Sequence, residues 1–174
     1  MSKSKIHLSK DELDLVKNST WILTKNLIIE KFVEGLGELS SRMTEKVTSM
    51  DLHFDEALKR NGPRISRGER YEGLPWLVLD YPRIFGKEDI FAIRTFFWWG
   101  RHCSVSIHCR GIFLQHLAKG ILASADKFIG GNYFLATTGD EWVHNLDAMP
   151  HQPIKMVGKE NIAQRLVMAQ FIRL

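Results

Sequence analysis

Apolar residues recur at seven-residue intervals through the first third of the chain, at Ile22, Ile29, Leu36 and Met43, with Phe32, Leu39 and Val47 between and beyond them. A seam of this kind is one face of an amphipathic helix, and the pattern predicts a long helix from Trp21 to about Thr48. Ahead of it, residues 1–8 read as a flexible tail. Ser9, with Glu12 three places on, forms a capping box for a short helix from about Lys10 to Lys17. Asn18, Ser19 and Thr20 then mark a break. The long seam fits packing on a sheet, or a homodimer through residues 21–48.

The pattern changes after residue 58. Residues 59–73 mix Lys59, Arg60, Arg64, Arg67 and Arg70 with Gly62-Pro63, Gly68 and Gly73, and read as a basic connector. Trp76–Asp80 reads as a short strand between Pro75 and Pro82. Ile90–Trp99 and His102–Arg110 are β-rich runs, with Gly100-Arg101 between them as a two-residue type II′ turn. Ile112–Phe128 has helical spacing and ends at Gly130-Gly131. Tyr133–Thr138 and Glu141–Leu146 flank Gly139-Asp140 as a second hairpin. A loop with Pro150 and Pro153 leads to a closing amphipathic helix, Lys159–Arg173. The expected fold is one α+β domain, 1–174. Its antiparallel sheet of about five strands comes from two hairpins and is packed by the N-terminal, middle and C-terminal helices.

A two-residue turn at Gly100-Arg101 sets Trp99 opposite His102 and fixes the register. One face then carries Ala92, Arg94, Phe96, Trp98, Cys103, Val105, Ile107 and Cys109. The other carries Phe91, Ile93, Thr95, Phe97, Trp99, His102, Ser104, Ser106, His108 and Arg110. The two cysteines lie about 20 Å apart along a strand rising about 3.3 Å per residue. They cannot share a metal or form a disulfide with each other, and read as small buried hydrophobes. Arg94 on an apolar face needs a carboxylate, an edge or an anionic ligand, because an unpaired guanidinium is costly to bury. Asp80 on the neighbouring strand is the internal partner. The second face mixes aromatic and polar groups, as pocket walls do, or is covered by the N-terminal helix.

Composition narrows the classes further. The chain is 44% hydrophobic and 25% charged, which argues against general disorder. Its 24 basic and 20 acidic residues are dispersed, so the net charge is weak support for nucleic-acid binding. The N-terminal sequence has no apolar core of a secretory signal, and no run is long enough to span a bilayer. A soluble, reduced, cytoplasmic protein follows. Glu141 and His144 would form a Glu-x-x-His pair on a helix, but in a hairpin they point apart, and His144 is expected to pack beside Tyr133, Leu135 and Trp142. There is no nucleophile elbow, phosphate loop or dinucleotide fingerprint, and neither metal nor cofactor is expected.

Three functional expectations result. The first is a non-enzymatic domain that binds a partner protein or a small anionic ligand. Its polar-aromatic surface comprises Arg94, Thr95, Phe97, Trp99, His102, Ser104, Ser106, His108 and Arg110. The second is phosphate or single-stranded nucleic-acid binding through Arg60, Arg64, Arg67 and Arg70, with Tyr71 and Trp76 available for stacking. The third is an enzyme assembled in space from His102 or His108 near Glu88 or Asp89.

Overall fold

The computed structural model describes residues 6–50, Leu58, 60–148 and 151–174. In chain order the elements are α1 (Lys10–Lys17), α2 (Ser19–Ser49), β1 (Arg64–Tyr71), β2 (Leu74–Phe85), β3 (Ile90–Trp98) and β4 (His102–Arg110). There follow α3 (Ile112–Ala123), α4 (Ala125–Ile129), β5 (Phe134–Leu135), β6 (Gln152–Pro153), α5 (Ile154–Val157), α6 (Lys159–Met168) and β7 (Phe171–Arg173). The fold is α+β. A five-stranded antiparallel sheet runs β1-β2-β3-β4-β7, and β5 pairs with β6 apart from it.

The capping box forms as the sequence predicts: Glu12 N–H donates to Ser9 Oγ at 3.2 Å, and Ser9 N–H to Glu12 Oε2 at 2.7 Å. Asn18 caps α2, accepting from Trp21 N–H at 3.3 Å. The seam of α2 lies on one sheet face. Ile29, Leu36 and Val47 bury against Leu77, Leu79 and Tyr81, and Phe97 and Trp99 pack beside them. Phe32 stacks on Phe97 with centroids 3.8 Å apart. The start of α2 reaches past the sheet, leaving Trp21, Leu23 and Leu27 exposed. A second core forms where α3 to α6 gather around Leu135 and Ile172.

Several expectations are corrected. Most of the basic connector is strand: residues 64–71 pair with β2, and Gly68 sits opposite Trp76. Lys59, residues 1–5 of the tail and most of the turn expected at 54–58 lie outside the described residues. The β2 strand outruns the expected Trp76–Asp80, continuing through a shift in register between Asp80 and Arg83. The expected helix 112–128 breaks at Ser124. The hairpin expected around Gly139-Asp140 does not form. Residues 139–148 are turns and irregular chain, and Leu135 pairs instead with Gln152. The last helix stops at Met168, where Ala169 turns extended, and residues 171–173 become β7. Their pairing with His108–Arg110 covers part of the edge of β4 and satisfies backbone groups that a helical turn would leave there unpaired.

The hairpin register is also corrected, by one position. Trp98, not Trp99, faces His102, and every pair below follows: Phe97 with Cys103, Phe96 with Ser104, Arg94 with Ser106, Ala92 with His108. The loop has three residues. Arg101 N–H donates to Trp98 C=O at 3.1 Å, and Gly100 has φ +68°, the left-handed value that the third position of a type II turn requires. Trp99 leaves the β3–β4 ladder and donates its N–H to Pro75 C=O at 2.9 Å.

Candidate functional site: a buried polar cluster and its pocket

Because side chains alternate along a strand, the shifted register regroups the faces. Arg94, Phe96 and Trp98 share a face with His102, Ser104, Ser106, His108 and Arg110. Thr95, Phe97 and Trp99 lie on the opposite face with Cys103, Val105 and Cys109, the face that α2 partly covers. Cys109 is fully buried, whereas Cys103 is exposed, which corrects the reading of both thiols as buried. Of the nine residues of the expected binding face, six are together and three are under or beside the helix.

Across the sheet the polar face has two rows. Arg64, Asp80, Arg94 and Ser106 face one another through β1, β2, β3 and β4. Ala92, His108 and Arg173 form the next row through β3, β4 and β7. The 139–148 segment lies on top. Asp140 Oδ1 accepts from Trp142 N–H at 2.9 Å and Asn145 Oδ1 from Asp147 N–H at 3.0 Å, so short polar side chains bend the chain locally. The Tyr71 hydroxyl accepts from His144 N–H at 2.6 Å and from Asn145 N–H at 3.3 Å, tying the segment to the end of β1. His144 stacks on Phe96 with centroids 4.2 Å apart, beside Tyr71 and not in the expected group of Tyr133, Leu135 and Trp142. Trp142 meets His108 edge-on at 5.0 Å.

Two carboxylates of this cluster, buried Asp80 and half-buried Glu141, are each held by an arginine. Arg94 donates from Nε to Asp80 Oδ1 at 2.6 Å and from Nη2 to Oδ2 at 3.3 Å. Its guanidinium also lies over the Phe85 and Trp142 rings. Glu141 receives Arg110 on one oxygen and His108 Nε2, at 2.8 Å, on the other. Arg110 spends two further N–H groups on the carbonyls of Glu88 and Lys87. The third arginine, Arg173, is 4% exposed. Among the described residues it has no carboxylate partner. It donates to the carbonyls of Val143 and Glu141 and to His144 Nδ1, and its Nε has no hydrogen-bond partner.

His144 lies between two guanidiniums. Burial first, then the charges of Arg173 and Arg94, push its pKa down to about 2, so the ring is neutral. A neutral imidazole has one acceptor nitrogen. If Nδ1 accepts from Arg173, Nε2 carries the proton and faces Arg94 Nη1 at 3.5 Å, donor toward donor. Burial also lowers the pKa of His102, His108 and His151. His102 Nε2, His108 Nδ1 and His151 Nδ1 are buried without hydrogen-bond partners. The cluster thus holds three guanidiniums with two ion-paired carboxylates, around imidazoles that stay neutral, and Asp140 acts on Arg173 only from a distance.

A pocket of about 250 Å³ opens beside it. Ser104 and Ser106 of β4 form one wall, Tyr133, Phe134 and Leu146 another, and His151 and Arg173 also line it. It lies where β7 stops covering β4, just past the pairing of Ile107 with Leu174. A shallower groove, lined by Arg64, Trp76, Phe85, Arg94 and Trp142 among others, lies on the same sheet face.

Other expected residues are dispersed. Arg64 is on the polar face, while Arg67 points to the side of α2, in a cleft with Asn26 and Glu30. With Arg60 and Arg70 they do not form one patch. Asp89 caps α3, accepting from Ile112 N–H at 2.9 Å, and the carboxylate beside His108 is Glu141. Arg173 and His151 were missed as site residues. Arg173 looked like the last residue of a helical stripe, and only its pairing with His108 brings it to the cluster. Among the described residues, no group of three or more His, Cys, Asp and Glu side chains is arranged to hold a metal ion, and no helix is long and apolar enough to cross a membrane.

Fold and site together define an α+β protein with a buried, net-cationic polar cluster at the wall of a small pocket. No family model matches the sequence, and comparison with curated proteins and with solved structures finds no similar chain.

Proposed function

We propose that this protein binds a small anionic ligand in the pocket lined by β4, Tyr133, Phe134, Leu146 and His151, with Arg173 as its charged anchor. The observation that carries the reading is the unpaired buried cation. A guanidinium taken out of water without a counter-charge is strongly unfavourable, and Arg173 has only carbonyls and a neutral histidine as partners. An anion in the adjoining pocket supplies the missing charge. Arg94, the anchor first expected, is already neutralised by Asp80. Binding is favoured over catalysis because the one histidine–carboxylate pair of the cluster, His108 with Glu141, holds a fully buried ring that does not line the pocket. A reducing, cytoplasmic setting belongs to this reading, in keeping with the exposed free thiol of Cys103.

Thermal denaturation with a panel of sulfate, phosphate, nucleoside monophosphates and small carboxylates tests it, because a ligand that binds only the native state raises its stability. At least one anion should raise the melting temperature of the native protein and leave Arg173→Gln unchanged. If no anion does so, or the gain survives in Arg173→Gln, the reading is wrong.

A further inference from the structure

We infer that the ligand of this pocket is a monocarboxylate with an apolar body, such as an aryl or short alkyl acid. Its carboxylate would lie at Arg173 and His151, and its body against Tyr133, Phe134 and Leu146. This rests on the anion-binding reading above and narrows it.

Three observations carry the inference. The first is charge. Arg173 is the one lysine or arginine on the pocket wall among the described residues, and of the three guanidiniums it alone has no ion-paired carboxylate, an excess that Asp80 and Asp140 offset only from a distance. One negative charge balances that excess. A dianion would bring a second charge into a site with nothing to meet it, which is costly where water is scarce.

The second is the number and kind of donors left free. Arginine meets carboxylate and phosphate alike through two parallel N–H groups of its fork, so the number of donors left decides between them. Both terminal nitrogens of Arg173 are already committed, to carbonyls and to His144. Three of its five N–H groups are engaged, so Nε–H and one Nη2 hydrogen remain, and His151 Nδ1 is the other unpartnered buried nitrogen among the wall residues. Both residues are more than nine-tenths buried. These few donors suit the two oxygens of a carboxylate better than the larger oxygen set of a phosphate, with His151 neutral and protonated on Nδ1.

The third is the rest of the wall. Tyr133, Phe134, Leu146 and Leu174 supply apolar and aromatic lining, and Ser104, Ser106 and Asn132 are its small polar members. A volume of about 250 Å³ is far more than acetate or phosphate fills. It is slightly below the usual range for drug-sized ligands, so it fits an acid of modest size.

Phenylacetate and hexanoate are the probes. Acetate lacks the body, benzyl alcohol lacks the charge, and inorganic phosphate has the wrong charge and shape. Binding is read by calorimetry and by the rate at which iodoacetamide alkylates Cys103, which is exposed and lines the same pocket. Phenylacetate and hexanoate should bind at least tenfold more tightly than the three controls and slow Cys103 alkylation. Arg173→Gln should weaken phenylacetate at least tenfold. Because that change also removes bonds to the 139–148 segment, Ser106→Leu gives a second test: it fills the pocket from β4 and should weaken phenylacetate tenfold with the circular dichroism spectrum unchanged. Tight binding of phosphate or a nucleotide that depends on Arg173, with none of phenylacetate, would overturn the carboxylate assignment and leave the anion reading intact. Phenylacetate binding that does not protect Cys103 would also overturn the assignment. No response to any anion would end both.

Discussion

Arg94 and Asp80 face each other across β2 and β3 and meet through two hydrogen bonds, Nε to Oδ1 at 2.6 Å and Nη2 to Oδ2 at 3.3 Å. Both side chains are buried. Removing one partner from a buried pair leaves an uncompensated charge, which costs about 3–5 kcal/mol, whereas replacing both with apolar residues is often nearly neutral. Asp80→Asn and Arg94→Met should each destabilise the protein by about that amount. The Asp80→Asn/Arg94→Met double variant should lose less than the sum of the two. Urea denaturation of the four proteins measures this, and simple additivity would show that the pair is not coupled.

The buried imidazoles make stability depend on pH in a defined direction. His144 is pushed down to about 2 and His102, His108 and His151 lie below the ordinary value, all chiefly through burial. A histidine whose folded pKa is lowered binds fewer protons in the native than in the unfolded state below about pH 6.5, so stability rises with pH there. The protein should lose stability steadily as pH falls from about 6.5 toward 5. His144→Gln should flatten part of that slope. Denaturation midpoints at pH 7.5, 6.5 and 5.5 would reveal it, and a slope of opposite sign would contradict the neutral cluster.

The two thiols should react very differently. Cys109 is fully enclosed and burial pushes its pKa up to about 12, whereas Cys103 is exposed. The thiolate is the reactive form. A chromogenic disulfide reagent should titrate one thiol in the native protein and two in denaturant. Two fast native thiols would mean that Cys109 is not enclosed by the chain packed over it.

Gly111, between β4 and α3, has φ +65°, and a Cβ there would run into the carboxylate of Asp89 and the carbonyl of Glu88. Asp89 is the cap of α3. Gly111→Ala should cost about 2 kcal/mol from backbone strain and a displaced cap. Asp89→Ala alone should cost about 1 kcal/mol. Thermal melts compare the two, and equal losses would show that the positive φ carries no strain.

Much of the N-terminal half was legible because its signals are local. Ser9 and Glu12 specify a capping box between residues three apart, and the stripe through Ile29 and Leu36 specifies a helix face whatever it packs against. The pairing of Asp80 with Arg94 was also readable: a guanidinium on an apolar strand demands a counter-charge, and the next strand offers one. The β3–β4 register was misread because Gly100 suits two turns. As the first residue of a two-residue turn it sets Trp99 opposite His102; as the third position of a type II turn it sets Trp98 there. The choice follows from Trp99 N–H donating to Pro75, on β2, which the hairpin alone does not contain.

The sequence by itself determined that helices would precede an antiparallel sheet, where α1 and α2 begin, and which strands form the central hairpin. These depend on spacing, caps and turn residues within a few positions of one another. Only the tertiary structure decided that residues 171–173 leave the helix to pair with β4, that the 139–148 segment folds over the polar face, and that Arg173 meets His144 at the pocket wall. Those contacts join residues about 30 to 70 positions apart. Each is fixed by the need to satisfy buried backbone and charged groups at once, a requirement that no single stretch of the chain expresses.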